Sequence, residues 1–157
     1  MKPRPFDKTV LDITYYLFSR TLHMPLPDAV NINLYEDGSQ MVGWHSDDEP
    51  LFDSDDVRIY SLTFGSGRDF QLVRKDLRQS QYGKYKRPIT PDPKDVVTVN
   101  LADGDLLGMA GLTQRHYDHQ ISKSIDGPGP RINLTWRYIR NHRTGCTAIK
   151  TIDSDID

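Results

Sequence analysis

Cysteine is nearly absent: the single Cys146 cannot close an internal disulfide, and no second thiol is present to build a thiolate metal cluster. A reducing, intracellular compartment is the expectation. Long apolar runs are missing too, since no stretch approaches the roughly 18–20 residues that span a bilayer. The first twenty residues carry Lys2, Arg4, Asp7, Lys8, Asp12 and Arg20, which interrupts any signal-peptide core. Charge of one sign is lacking as well. With 20 Lys and Arg against 22 Asp and Glu, the net charge of -2 excludes a protein that coats nucleic acid wholesale, so any such contact comes from a local patch. No repeat or low-complexity tract appears. At 157 residues, 36% hydrophobic and 27% charged, the chain is expected to fold as a single domain over 1–157 with many turns, and a monomer is the expectation.

Phe6, Val10, Ile13 and Leu17 recur at helical spacing ahead of Pro25 and Pro27, which predicts one amphipathic helix over about 7–22. Beyond it the period changes to that of strands. Short runs rich in β-branched and aromatic residues occur at 30–35, 41–45, 58–64, 69–74, 96–101, 105–110, 116–121 and 131–139, separated by clusters such as Glu36-Asp37-Gly38-Ser39, Gly65-Ser66-Gly67 and Ala102-Asp103-Gly104. Eight short strands with an N-terminal helix point to a mainly β fold, an antiparallel sandwich or jelly roll.

Two charge blocks stand out. Asp47, Asp48, Glu49, Asp53, Asp55 and Asp56 form an acidic one, and Arg74, Lys75, Arg78, Lys84, Lys86 and Arg87, interleaved with Tyr82 and Tyr85, form a basic one. A solvated loop explains either block taken alone.

His45-Ser46-Asp47 follows a predicted strand, and residues two apart share a strand face, so both side chains can reach one metal. They are two thirds of a 2-His-1-carboxylate triad, which leaves coordination positions open on Fe(II). The spacing alone is weak, because His116-Tyr117-Asp118 repeats it. The stretch Arg131-Ile132-Asn133-Leu134-Thr135-Trp136-Arg137-Tyr138 is more informative: odd positions are polar and even positions apolar. By alternation alone the polar face points outward to solvent. Turned into a barrel, it becomes a cationic wall that demands an anion. Arg131 and Arg137 then stand about 20 Å apart along the strand, and once both side chains reach back, the gap suits a short dicarboxylate.

These residues resemble the AlkB-like Fe(II)/2-oxoglutarate-dependent dioxygenases, whose last core strand reads Arg-x-Asn-x-Thr-x-Arg. The likeness extends through Asn33-Leu34-Tyr35, Asp37-Gly38-Ser39, Gly43-Trp44-His45-Ser46-Asp47-Asp48-Glu49, Ser61-Leu62-Thr63-Phe64-Gly65 and Gly104-Asp105-Leu106-Leu107, over about residues 28–140. It implies a double-stranded β-helix that binds Fe(II) through His45, Asp47 and a later histidine. His119 fits because it follows Gln-x-x-aromatic-x at Gln114 to Asp118; His116-Tyr117-Asp118 is read as the chance match, and His23 and His142 as surface residues. The resemblance further implies that Arg131, with Tyr35 and Asn133, holds the distal carboxylate of 2-oxoglutarate, while Asn33 and Arg137 sit toward the metal end. A guanidinium fork suits a carboxylate in a dry barrel.

The activity so implied is oxidative demethylation of N-alkylated bases in DNA or RNA, with release of succinate, CO2 and formaldehyde. Glu49 and Asp48 at the pocket edge would favour cationic bases such as 1-methyladenine and 3-methylcytosine, and His45 and Met109 would line the pocket. Arg74, Lys75, Arg78, Lys84, Lys86 and Arg87 would hold phosphates. A base must leave the stack to enter, which favours single strands. Nucleic-acid members of this family usually carry an N-terminal lid over the base. Here only about thirty residues precede the first matching strand, so the base lid is expected to be absent from these residues, and either the chain is a domain of a longer protein or its substrate is gripped differently. That favours, as the alternative, a hydroxylase of the same chemistry acting on a small molecule or protein. A non-catalytic jelly-roll binding module is a third reading, disfavoured by the intact His45, Asp47, His119 and Arg131 set.

Overall fold

The computed structural model describes residues 4–49, 57–78, 90–124 and 129–139. Lys84, Lys86 and Arg87, with Tyr82 and Tyr85, lie outside the described residues, as do Asp53, Asp55, Asp56, His142 and Cys146.

The N-terminal segment forms α1 (Lys8–Thr14), opened by the Asp7 carboxylate, which accepts from the Thr9 N–H at 2.9 Å. The predicted single α-helix stops at Thr14, and Tyr15–Thr21 continues in wider π-helical turns, with the Leu22 N–H bonded to the Leu17 carbonyl. Val10, Thr14 and Phe18 become the fully buried row, and Phe6, Ile13 and Leu17 pack partly beside it.

Eight antiparallel strands follow: β1 (Ala29–Tyr35), β2 (Val42–His45), β3 (Ile59–Gly65), β4 (Arg68–Arg74), β5 (Val97–Leu101), β6 (Leu106–Met109), β7 (Tyr117–Ile121) and β8 (Arg131–Arg137). A short helix, α2 (Thr113–His116), precedes β7. They form two four-stranded sheets in the orders β1-β8-β3-β6 and β2-β7-β4-β5, the interleaved arrangement of a double-stranded β-helix. Each predicted strand appears to within two residues at either end. The apolar filling between the sheets is Tyr35, Val57, Ile59, Phe70, Leu101, Met109 and Ile121.

Strand β8 lies between β1 and β3, in register Asn33↔Asn133 and Tyr35↔Arg131 on one side and Ser61↔Thr135 and Thr63↔Asn133 on the other. Directly opposed residues share a face, so Asn33, Tyr35, Ser61, Thr63, Arg131, Asn133 and Thr135 all face inward. The even residues face outward, where the N-terminal helix covers Leu134 and Trp136; the Phe18 ring meets Trp136 edge-on at 5.5 Å and Tyr60 at 5.3 Å. Gly65 closes the turn after β3 at φ +85, where a Cβ would stand 2.5 Å from the Pro130 carbonyl oxygen. Only glycine fits there.

Thr14 is the polar rivet of the outer layer. Its hydroxyl donates to the Val10 carbonyl at 2.7 Å and accepts from the fully buried Trp136 Nε1–H at 2.8 Å. Thr14→Val leaves that N–H unsatisfied, which costs about 1–3 kcal/mol; urea unfolding should show a lower midpoint with an unchanged slope, and Thr14→Ser should recover most of the loss.

Candidate active site

Pairing of β2 with β7 sets His45 directly opposite His119, with ring centroids 4.2 Å apart. The chain then leaves β2 and brings Asp47 back to the same point, where its N–H donates to the buried Gln114 Oε1 at 2.9 Å. Ligand atoms of His45, Asp47 and His119 all lie within 4.8 Å of one another. The Gly43 carbonyl stands 2.7 Å from His45 Nδ1 and, being only an acceptor, holds the proton there, which leaves Nε2 free for a metal. Burial pushes the His119 imidazole down to about 4, with the neighbouring His45 acting in the same direction. It is therefore neutral near pH 7 and available as a ligand. Phe70 stacks on its other side at 5.4 Å.

Two imidazoles and one carboxylate, arranged on one side of a point, suit a divalent iron with open positions. Asp47 Oδ1 is on the histidine side, 3.9 Å from His45 Nε2, while Oδ2 accepts from Arg137 Nη2 at 2.6 Å. Arg137, from β8 of the other sheet, thereby fixes the carboxylate without blocking its free oxygen.

Deeper along the inner face of β8 lies Arg131, 1% exposed. Its Nη2 donates to Thr63 Oγ1 at 2.9 Å and to Asn133 Oδ1 at 2.7 Å, and its guanidinium carbon lies 5.2 Å from the Tyr35 ring centroid. Its Nε and Nη1 are buried with no hydrogen-bond partner among the described residues. Burial pulls the Arg131 guanidinium down from its ordinary value and pushes the Tyr35 phenol up, the two groups partly compensating each other. A buried guanidinium with spare donors is the kind of group that a carboxylate would satisfy.

Asn133 accepts from Arg131 and from Ser61 Oγ at 2.9 Å, and donates to Thr135 Oγ1 at 2.6 Å. Its amide orients Arg131. Asn33 sits opposite it on β1, on the inward face but exposed. Met109 is buried, and its thioether accepts from Gln114 Nε2 at 3.4 Å. Glu49 is exposed two residues beyond Asp47.

Several charged residues expected to meet a substrate are turned to protein partners. Lys75 Nζ bonds Asp48 Oδ2 at 3.0 Å and the Gln114 carbonyl at 2.8 Å, and this contact holds the Asp48 carboxyl below its usual range. Arg78 pairs with Asp118 behind the metal site and lies over the Trp44 ring at 5.3 Å. Arg74 forks onto Asp76 at 3.1 and 2.8 Å. Three residues the sequence reading left without a role also emerge. Gln114 positions Asp47, Phe70 stacks on His119, and Arg68, 2% exposed, donates to the carbonyls of Asp37, Gly38, Gln40 and Ser122. Only the glycine turn before Arg68 hinted at it.

Alanine at His45, Asp47 or His119 should each lower Co(II) affinity at least tenfold in calorimetric titration, since a three-ligand site has no spare donor. His116→Ala should bind Co(II) as the parent does.

The chain matches the family model described as the 2OG-Fe(II) oxygenase superfamily over residues 5–137. It is 33% identical over 139 residues to the DNA oxidative demethylase ALKBH2 of Arabidopsis thaliana, an overlap covering 84% of this chain and 43% of that protein. It is 38% identical over 107 residues to alpha-ketoglutarate-dependent dioxygenase alkB homolog 3 of Mus musculus, covering 68% and 35%. With the human DNA oxidative demethylase ALKBH2 it shares 38% over 110 residues, covering 70% and 39%. The chain thus spans less than half the length of these curated relatives. Their family's metal and co-substrate, Fe(II) and 2-oxoglutarate, match the donor set and the buried arginine, and the chain belongs to the 2OG-Fe(II) oxygenase superfamily as an AlkB-like member.

Proposed function

We propose that this protein is an Fe(II)/2-oxoglutarate-dependent dioxygenase that demethylates N-alkylated bases in DNA or RNA. The observation that carries the reading is the His45, Asp47 and His119 cluster on one sheet facing a β8 of the other sheet that carries the buried Arg131, the two joined by the Arg137–Asp47 contact. The names of the relatives, DNA oxidative demethylase among them, point to the substrate class.

His45, Asp47 and His119 would hold the iron, and Arg131, oriented by Asn133 and Thr63, would hold the distal carboxylate of 2-oxoglutarate. Arg137 keeps Asp47 aimed at the metal. When bound, iron and 2-oxoglutarate supply the oxidation: one atom of dioxygen goes into succinate, formed with CO2, and the other into the N-methyl C–H bond, whose carbon leaves as formaldehyde. The protein contributes position and a shielded wall. Glu49, an exposed acid just past the metal-binding Asp47, favours cationic bases such as 1-methyladenine and 3-methylcytosine over neutral ones. Single strands are preferred because extruding a paired base costs a few kcal/mol, the enzyme acts as a monomer, and its nucleic-acid substrate sets its place inside the cell.

Iron-loaded protein incubated with methylated oligonucleotides should remove one methylene of mass per turnover and release formaldehyde in step with succinate. Succinate formation with none of these bases converted would move the assignment to a hydroxylase of a small molecule or protein. Arg131→Lys keeps the charge but loses the fork, and should raise the 2-oxoglutarate KM by about tenfold or more while the fold persists by circular dichroism. Glu49→Gln should lower kcat/KM for 1-methyladenine more than for a neutral methylated base.

A further inference from the structure

Beside the metal site the surface opens into a pocket of about 500 Å³ walled by Arg74, Lys75, Asp76, Arg115, His116 and Tyr117. That volume lies within the ~300–1,000 Å³ typical of ligand sites. Strand register fixes its place. Leu72 pairs with His119 and Arg74 with Tyr117, so Tyr117 and Arg74 share the inward face with the metal ligand, one pleat step (about 7 Å) nearer the rim. Asp118 faces the opposite way, where it holds Arg78.

The charges around this pocket are unequal in what they have left to give. Arg74 is forked onto Asp76, and Lys75 is shared between Asp48 and the Gln114 carbonyl. Arg115 is exposed, and its side chain makes no hydrogen bond or ion pair among the described residues. Tyr117 is 37% exposed. One uncompensated guanidinium and one open aromatic ring, adjacent to the site of oxidation, match one phosphate and one base.

We infer that this pocket is a subsite for the nucleotide next to the one being demethylated, in a single strand, with Arg115 on its phosphate and Tyr117 stacked against its base. The inference rests on the demethylase reading and adds to it the residues that grip the flanking strand. Because the other two cations are already paired with acids, the subsite takes one phosphate. Stacking on tyrosine is indifferent to base identity, so the subsite adds affinity and register and leaves base choice to the pocket at the metal.

The test compares 1-methyladenosine 5′-monophosphate with a trinucleotide carrying 1-methyladenine at its centre, each titrated into protein loaded with Mn(II) and 2-oxoglutarate under anaerobic conditions. The parent should bind the trinucleotide about tenfold more tightly than the mononucleotide, the order expected of one stack and one phosphate contact. Arg115→Ala and Tyr117→Ala should each lose most of that gain, and Tyr117→Phe should keep it. Arg115→Ala should also reduce the slope of log affinity against log salt by about 0.7, whereas Tyr117→Ala should leave the slope alone. Both positions are exposed, so the substitutions do not threaten the fold. Equal gains in the parent, Arg115→Ala and Tyr117→Ala, or no gain in the parent, would overturn the subsite even if the methylated trinucleotide is converted. A parent that binds neither ligand and converts no methylated base while consuming 2-oxoglutarate would remove the demethylase reading together with the subsite.

Discussion

The inward polar face of β8 is the constraint around which the molecule is arranged. Trp136 and Leu134 are buried under the N-terminal helix, and the two-residue period of a strand then obliges Arg131, Asn133, Thr135 and Arg137 to face the interior. Polar groups taken out of water need partners. Ser61 and Thr63 on β3 supply hydroxyls to Asn133 and Arg131, Thr135 accepts from Asn133, Tyr35 on β1 lies against the Arg131 guanidinium, and Asp47 takes up Arg137. Among the described residues these partners leave the Nε and Nη1 of Arg131 unmatched, two donors on one buried guanidinium that an acceptor could take up.

The two halves of the site belong to different sheets. His45 and His119 are neighbours in the sheet β2-β7-β4-β5, and Arg131 belongs to β1-β8-β3-β6. The contact between Arg137 and Asp47 spans the sheets and fixes the His45, Asp47 and His119 cluster relative to the inner face of β8. Both members are nearly buried, 11% and 8% exposed at the side chain, so solvent screens the pair little. Gln114 adds a second hold on the same residue, reaching from α2 to the Asp47 N–H. Asp47, on the loop after β2, is thereby held from two sides.

Among the described residues around the metal site, several cations are matched with acids: Arg78 with Asp118, Lys75 with Asp48, Arg74 with Asp76. This pairing is the local counterpart of a net charge of -2. It limits long-range attraction for a polyanion and gives weight to Arg115, whose side chain has no ion-pair partner among the described residues and which lines the pocket at the start of β7.

The eight strands were legible in the sequence because β-branched runs and glycine turns report on local backbone preference. The pair His45 and Asp47 was picked out by strand spacing, but β2 ends at His45 and it is Gln114 and Arg137 that bring Asp47 back to the histidines. The motif from Arg131 to Arg137 and the histidine after Gln114 could be read through family resemblance, since ordered patterns survive where single spacings do not. Tertiary structure decided the rest. Alternation in β8 could not say which face turns inward; the helix packed on Trp136 decides it. Composition could not show that Arg78 and Lys75 are spent on Asp118 and Asp48, because ion pairing depends on which strands become neighbours. Nor could periodicity place Arg68 against four loop carbonyls, or Gln114 against Asp47, since those bonds join segments far apart in sequence. Local chemistry sets which elements can form, and only their packing sets which polar groups are satisfied and which are left for a ligand.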